Sequence, residues 1–313
     1  VEPQISSFYN NEEVEEEELS EPGFSLDETR IKSESSNRFR LLMRTKDHGG
    51  ITAIVTGEMG SGKTTFLISK LVLPLLERRS EVVLWRGDEF AQWCYVEPER
   101  VNLMFVEGPF EYIIADRDVG RFLRPEEAAE RFNFHDLQYI VQADEVLKYA
   151  KPRLMNVVYC DDDFFVELLE SIIRRPTLVW WSLFHDEVQK LAPSNPEGDL
   201  WRRNKRLADA LADTRKNLVN FYCACHNLSD VDHRIITKMN FKVYLRNAKI
   251  PRESMIRNKM LAHMLKLGEA IVEGSVFKLT RFQPLRKHMN LMVTTKTLTL
   301  SRNMLRGDDD DEW

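Results

Sequence analysis

Gly57-Glu58-Met59-Gly60-Ser61-Gly62-Lys63-Thr64 sets glycines, a lysine and a hydroxyl at the offsets that can hold a chain of phosphates. Glycines let successive backbone N–H groups curl around phosphate oxygens, and the positive end of a following helix adds to the attraction. Lys63 is then the point charge for the β- and γ-phosphates of ATP. The Thr64 hydroxyl is a ligand for Mg²⁺, and Thr65 closes the loop. A glycine-rich turn with a chance lysine would need no flanking elements, yet both are present. An apolar, β-branched stretch (Ile51, Ala53, Ile54, Val55) leads in, and a helical run leads out.

A loop of this kind promises nucleotide binding; the reaction depends on what ends the later strands. Residues 177–184 (TLVWWSLF) form a continuous apolar run suited to a central strand buried on both faces, and His185-Asp186-Glu187 ends it. Asp186 stands where a second Mg²⁺-associated carboxylate belongs, and Glu187 beside it can polarise water for attack on the γ-phosphate. Asp161-Asp162-Asp163 also follows a strand and is the competing source of the metal carboxylate. Its strand is shorter and less apolar, so Asp186-Glu187 is preferred. Residues 218–225 (LVNFYCAC) end in His226-Asn227, either of which could touch both phosphate and attacking water. The alternative is a polar turn in which Asn227 or Ser229 caps a helix.

The elements that must position these residues alternate between strands and helices. Strands are expected at 51–55, 81–85, 101–106, 155–160, 177–184, 218–225 and 241–245, with a closing hairpin from 269–272 and 276–282. Helices are expected at 65–77 (kinked or ended by Pro74), across 125–150 as one or two segments, and at 164–175, 199–216, 229–239 and 257–267. This pattern gives an α/β fold with a mainly parallel sheet flanked by helices.

Charge divides the 313-residue chain. Residues 1–29 carry ten acidic side chains and no Lys or Arg, and residues 308–312 add five more. The remainder has 35 acidic against 44 basic side chains, so a net charge of −6 hides a body near +9. A basic body with acidic ends suits a nucleic-acid partner as well as it suits merely solubilising tails. Residues 1–47 read as an acidic, largely disordered segment with a short docking element and a protein partner of its own. Residues 48–290 read as the ATPase domain, and 291–313 as a tail with an acidic end. No run is apolar and long enough to span a bilayer and no signal peptide opens the chain. The expected compartment is cytoplasmic, or host cytoplasm or virion for a viral chain. Cys94, Cys160, Cys223 and Cys225 lack paired metal spacing and suit a reducing compartment; Cys223 and Cys225 should share one strand face in the core.

Phe184-His185-Asp186-Glu187-Val188-Gln189-Lys190-Leu191-Ala192-Pro193 resembles the Asp-Glu-x-x-x-x-x-Pro continuation of the second nucleotide motif in the HerA/FtsK superfamily of DNA-pumping ATPases. Residues 224–235 (ACHNLSDVDHRI) are similar to that superfamily's Ala-Thr-Gln-Arg-Pro-Ser-x-x-Asp-x-x-Ile, with Ala224, Ser229, Asp232 and Ile235 at matching positions. Leu245-Arg246 and the Gly268-Glu269-Ala270 element extend the resemblance, which runs in order from residue 51 to 282. His226, Asn227 and Leu228 depart from the family's Gln-Arg-Pro, which leaves the sensor assignment open between His226 and Asn227.

The resemblance implies a RecA-like core with an additional central strand, acting as a homo-oligomeric ring, a hexamer, that moves or packages double-stranded DNA. An ATPase driving protein assembly or secretion is the alternative, and a small-molecule kinase a weaker third. In such rings an arginine completes a neighbour's site; Arg246 is the first candidate and Arg234 the second. The basic stretches 246–259 and 281–288, with Arg202, Arg203, Lys205 and Arg206, are candidates for a DNA-facing pore.

Overall fold

The computed structural model describes residues 49–175 and 179–297. The acidic segment 1–47, the acidic end 308–312 and two residues of the expected central strand, Thr177 and Leu178, lie outside them. The strands in chain order are β1 (Thr52–Thr56), β2 (Glu81–Arg86), β3 (Val101–Val106), β4 (Phe110–Asp116), β5 (Arg121–Leu123), β6 (Asp136–Ile140), β7 (Met155–Tyr159), β8 (Trp180–His185), β9 (Val219–Cys225), β10 (Phe241–Tyr244), β11 (Glu269–Glu273), β12 (Phe277–Arg281) and β13 (Leu291–Thr297).

A ten-stranded sheet runs in the order β12-β11-β10-β1-β9-β8-β2-β7-β3-β6, and every pairing in it is parallel except β10–β11 and β11–β12. The expected additional central strand is β9, which pairs with the loop strand β1 on one side and with β8 on the other. β1 is buried at every position, because helices or loops cover both faces. Ala53 and Val55 point into one apolar layer with the helical run that follows the loop, and Ile54 points into the other. The second layer holds helices Asp162–Arg174 and Gly198–Asp213, and Cys223 and Cys225 together face it.

Aromatic packing ties the strands that end at the candidate residues. Trp85 of β2 stacks on Phe184 of β8 at 5.7 Å between centroids, and Phe184 stacks on Tyr222 of β9 at 4.9 Å. All three rings are fully buried, so the last turns of three strands share one rigid support.

Some elements differ from the sequence expectation for identifiable reasons. Pro74 neither breaks nor ends its helix. Helix Lys63–Leu67 passes through a π-helical turn, Ile68–Val72, into Leu73–Leu76, with Pro74 in the first turn of that last piece. The wider turn before Pro74 absorbs its missing N–H. The stretch 125–150 holds helices Pro125–Phe132 and Ala143–Tyr149 with the edge strand β6 between them. Only Leu261–Met264 of the expected 257–267 helix is α-helical. The stretch read as a C-terminal tail begins with β13, which pairs antiparallel with β4 in a separate sheet of order β13-β4-β5.

Candidate active site

The loop Gly57–Thr64 leaves the C-terminal end of β1 and enters helix Lys63–Leu67, whose first N–H groups have no partner within the helix. Its glycines are needed where they stand. Gly60 and Gly62 adopt φ of 74° and 94°, and a Cβ on Gly57 would lie 2.6 Å from Ser61 Oγ. Ser61 Oγ is itself buried without a hydrogen-bond partner, an orphaned donor that fits a phosphate oxygen. Glu58, Met59 and Gly60 form the exposed rim, with Met59 at 83 % exposure. Thr65 is half-buried just inside the helix.

Lys63 is buried, and its Nζ donates to Gly57 O and Glu58 O, both at 2.9 Å. His226 Nδ1 lies 3.1 Å away. Burial lowers the Lys63 pKa, opposed by the charge of Asp186. The ammonium is thus held over the loop by neutral acceptors that a phosphate would outcompete.

Thr64 Oγ1 donates to Asp186 Oδ2 at 2.5 Å, joining the loop to the end of β8 across the intervening β9. Burial raises the Asp186 carboxyl, and the Thr64 hydrogen bond works the other way. A hydroxyl and a buried carboxylate in contact are a hard-oxygen donor set that suits Mg²⁺. Asp161-Asp162-Asp163 is spent elsewhere. Asp161 caps helix Asp162–Arg174 through Phe164 N at 2.7 Å, and Asp162 pairs with Arg86 at 2.9 Å.

Glu187 has a left-handed backbone (φ 61°), unusual for a residue with a side chain and a recurrent mark of strained functional positions. Its Oε2 is ion-paired with Lys190, and its Oε1 lies 3.5 Å from His226 Nε2. Burial would raise its pKa, but the hydrogen bond and charge of Lys190 outweigh that and hold the carboxyl below its usual range.

His226 is therefore the hinge of the cluster. One ring nitrogen faces Lys63, the other faces Glu187, and its carbonyl accepts the Thr56 hydroxyl at 3.0 Å. Asn227, the other sensor candidate, is not part of it: its amide turns to Asp230 at 3.2 Å, inside a short turn, Leu228–Asp230. Asn227 stands just before that turn, and its side chain makes no capping hydrogen bond there.

Arg246 follows β10 and lies 3.5 Å from Glu58 of its own loop, a carboxylate also held by Asn247 at 2.6 Å. Arg234 grips Asp232 at 2.7 Å and covers the Trp201 ring at 5.0 Å, which makes it a local structural contact. Of the basic helix residues, Arg203 is buried and donates to Leu191 O at 3.1 Å, and Arg206 forks onto Glu170 at 3.0 and 2.9 Å. Arg202 pairs with Asp199 at 3.0 Å, and the Lys205 ammonium lies over the Trp201 ring at 5.8 Å.

No family model matches the chain, and no curated protein does. Solved structures do resemble it. The genome packaging NTPase B204 from Sulfolobus turreted icosahedral virus 2, in complex with sulfate, is 14 % identical over 77 % of this chain and 98 % of that chain, with a TM-score of 0.47. The N-terminal domain of zonular occludens toxin from Neisseria meningitidis is 12 % identical over 78 % and 99 %, at 0.40. EssC (ATPases 2 and 3) from Geobacillus thermodenitrificans is 12 % identical over 75 % and 39 %, at 0.38. Likeness at this level transfers no residue role. The loop geometry and the parallel sheet decide the fold.

This is a phosphate-loop NTPase fold.

One residue near this cluster had no place in the sequence reading. Asp88 lies two residues beyond β2, the strand next to β8. Burial, with the negative charge of Asp186, pushes its carboxyl up to about 7. The available signal was a polar residue just past the C-terminal end of an apolar strand, where α/β sheets gather their ligands.

Proposed function

We propose that this chain is an ATP-hydrolysing motor of the HerA/FtsK type that translocates or packages double-stranded DNA as a ring, in the hexameric form that its sequence resemblance implies. The observation that carries the hydrolytic part is the continuous contact from Lys63 through His226 to Glu187, beside Thr64–Asp186. A binder needs the loop alone. A hydrolase also needs a carboxylate to take a proton from water, and Glu187, whose Oε1 faces His226 beside Lys63, is the residue that supports this reading.

The roles follow from the contacts. ATP phosphates displace Lys63 from Gly57 O and Glu58 O, and Ser61 and the helix N–H groups take phosphate oxygens. Thr64 and Asp186 would hold Mg²⁺, which when bound supplies charge neutralisation at the β- and γ-phosphates. Glu187 accepts the proton of the attacking water. His226 reads the γ-phosphate on the Lys63 side and reports it to Glu187 on the other.

DNA as the load rests on the basic body of the chain and on the resemblance of residues 184–193 and 224–235 to the DNA-pumping superfamily. Among the described residues no helix is long and apolar enough to cross a membrane. The test is ATP turnover with and without double-stranded DNA at low and high salt. Stimulation of about severalfold that fades with salt supports the translocase. No stimulation at low salt would sink it and favour the protein-directed alternative.

A further inference from the structure

β1, which carries the phosphate loop, pairs with β10 on one side and with β9 on the other. Thr64–Asp186 and the contact of Lys63 with His226 lie on the β9 side. On the β10 side the loop is pressed against the strand end. Leu245 N donates to Thr56 O at 2.9 Å, and a Cβ on Gly57 would come within 3.0 Å of Leu245 Cβ. The two residues after Leu245 both reach the carboxylate of Glu58. Asn247 Nδ2 donates to Glu58 Oε1 at 2.6 Å, and Arg246 Nη2 lies 3.5 Å from the same oxygen.

Asn247 is itself held from two directions. Its backbone is left-handed (φ 59°), a conformation that asparagine tolerates, and its N–H donates to Ala262 O at 2.9 Å in helix Leu261–Met264. Its Oδ1 lies 3.2 Å from His263 Nδ1, and since an amide oxygen only accepts, the ring nitrogen is the donor. The amide N–H is thereby left for Glu58, whose carboxylate can only accept. Glu58 is otherwise exposed on the rim of the loop.

We propose that Asn247, helped by Arg246, is a positioning residue for the phosphate loop: it tethers the Glu58 carboxylate on the β10 side and keeps it off Lys63. The inference rests on Lys63 being the phosphate ligand of the reading above. Lys63 Nζ already donates to the carbonyl of Glu58 at 2.9 Å, so the side chain of that residue starts within reach of the ammonium. Released, the carboxylate folds onto Lys63 as a charged acceptor, which a triphosphate displaces far less readily than the neutral carbonyls. It also brings negative charge toward a loop that must take several more on the phosphates. The tether acts on nucleotide affinity and leaves the hydrolytic step alone, because Asp186 and Glu187 follow from β8, beyond β9.

The test measures the Kd for ATP and kcat separately in the full chain carrying Asn247→Gly, Asn247→Asp, Glu58→Gln or the Asn247→Gly/Glu58→Gln pair. Glycine keeps the left-handed backbone and the N–H to Ala262 without strain, so Asn247→Gly removes only the side-chain tether. It should raise Kd about tenfold, with kcat at saturating ATP within about twofold of wild type. Asn247→Asp keeps the size of the side chain but sets a second carboxylate against Glu58, and should raise Kd at least as much. Glu58→Gln removes the charge to be tethered, so adding Asn247→Gly to it should change Kd less than about twofold. A wild-type Kd in Asn247→Gly, or the same loss of affinity in the Glu58→Gln background, would overturn the proposal. Lys63→Ala binding ATP as tightly as wild type would instead mark failure of the underlying reading, independently of the Asn247 and Glu58 results.

Discussion

Thr64 and Asp186, 122 residues apart in sequence, meet at 2.5 Å through hydroxyl and carboxylate oxygens. Their strands are not neighbours. β9 separates β1 from β8, and its last residues put His226 into the gap between them. One strand insertion therefore brings the loop, Asp186 and His226 together at the C-terminal ends of the strands, where α/β folds collect ligands.

If this contact marks the Mg²⁺ position, Thr64→Val should raise the Mg²⁺ concentration for half-maximal turnover by about ten- to a hundredfold, while Thr64→Ser stays close to wild type. An Mg²⁺ titration of the ATPase rate checks it. An unchanged titration in Thr64→Val would remove Thr64 from the metal site.

Arg246 rests on Glu58 of its own phosphate loop. If Arg246 acts on the site of its own chain, mixing Arg246→Ala with Lys63→Ala chains should restore no hydrolysis. Each subunit in the mixture then carries a defective site of its own. Recovery of activity on mixing would instead assign Arg246 to a neighbour's site, as the ring analogy first suggested.

Asp88 gives a pH signature. Its carboxyl is raised by burial to about 7 in the fold, from 3.8 for the free group. The folded state therefore holds this proton more tightly than the unfolded chain. The Asp88 contribution to stability is present below the unfolded pKa and is lost as pH rises through the folded one, with no further change above it. Asp88→Asn removes that loss, so thermal unfolding of the variant should occur at a higher temperature than wild type at about pH 8 and converge with it near pH 4. Parallel unfolding curves across this range would show that Asp88 is not a buried acid.

Much of this was legible in the chain because the central strands are apolar on both faces and short polar stretches end them. Residues 51–67 and 218–227 needed no distant partner to be read. Asp186 could be preferred over Asp161-Asp162-Asp163 because the strand before it is longer and more apolar, and the structure puts Asp186 on Thr64 and Asp162 on Arg86. What escaped depends on contacts remote in sequence. β13 is rich in threonine, and its strand character comes from pairing with β4, far earlier in the chain. β6 is a half-exposed edge strand between two helices, so its apolar residues merge into a helical-looking period. Asp88 looked like one more charge in a turn, since nothing in residues 86–90 alone shows that burial raises its carboxyl. His226 and Asn227 were equivalent by position; the structure turns the one to Lys63 and the other to Asp230.

The central claim is that Glu187 turns a nucleotide-binding loop into a hydrolase, and ATP turnover by Glu187→Gln beside its ATP affinity tests it most directly. The account predicts ATP bound about as tightly as by wild type, with kcat reduced by about a hundredfold or more. Turnover at the wild-type rate with ATP still bound would contradict it.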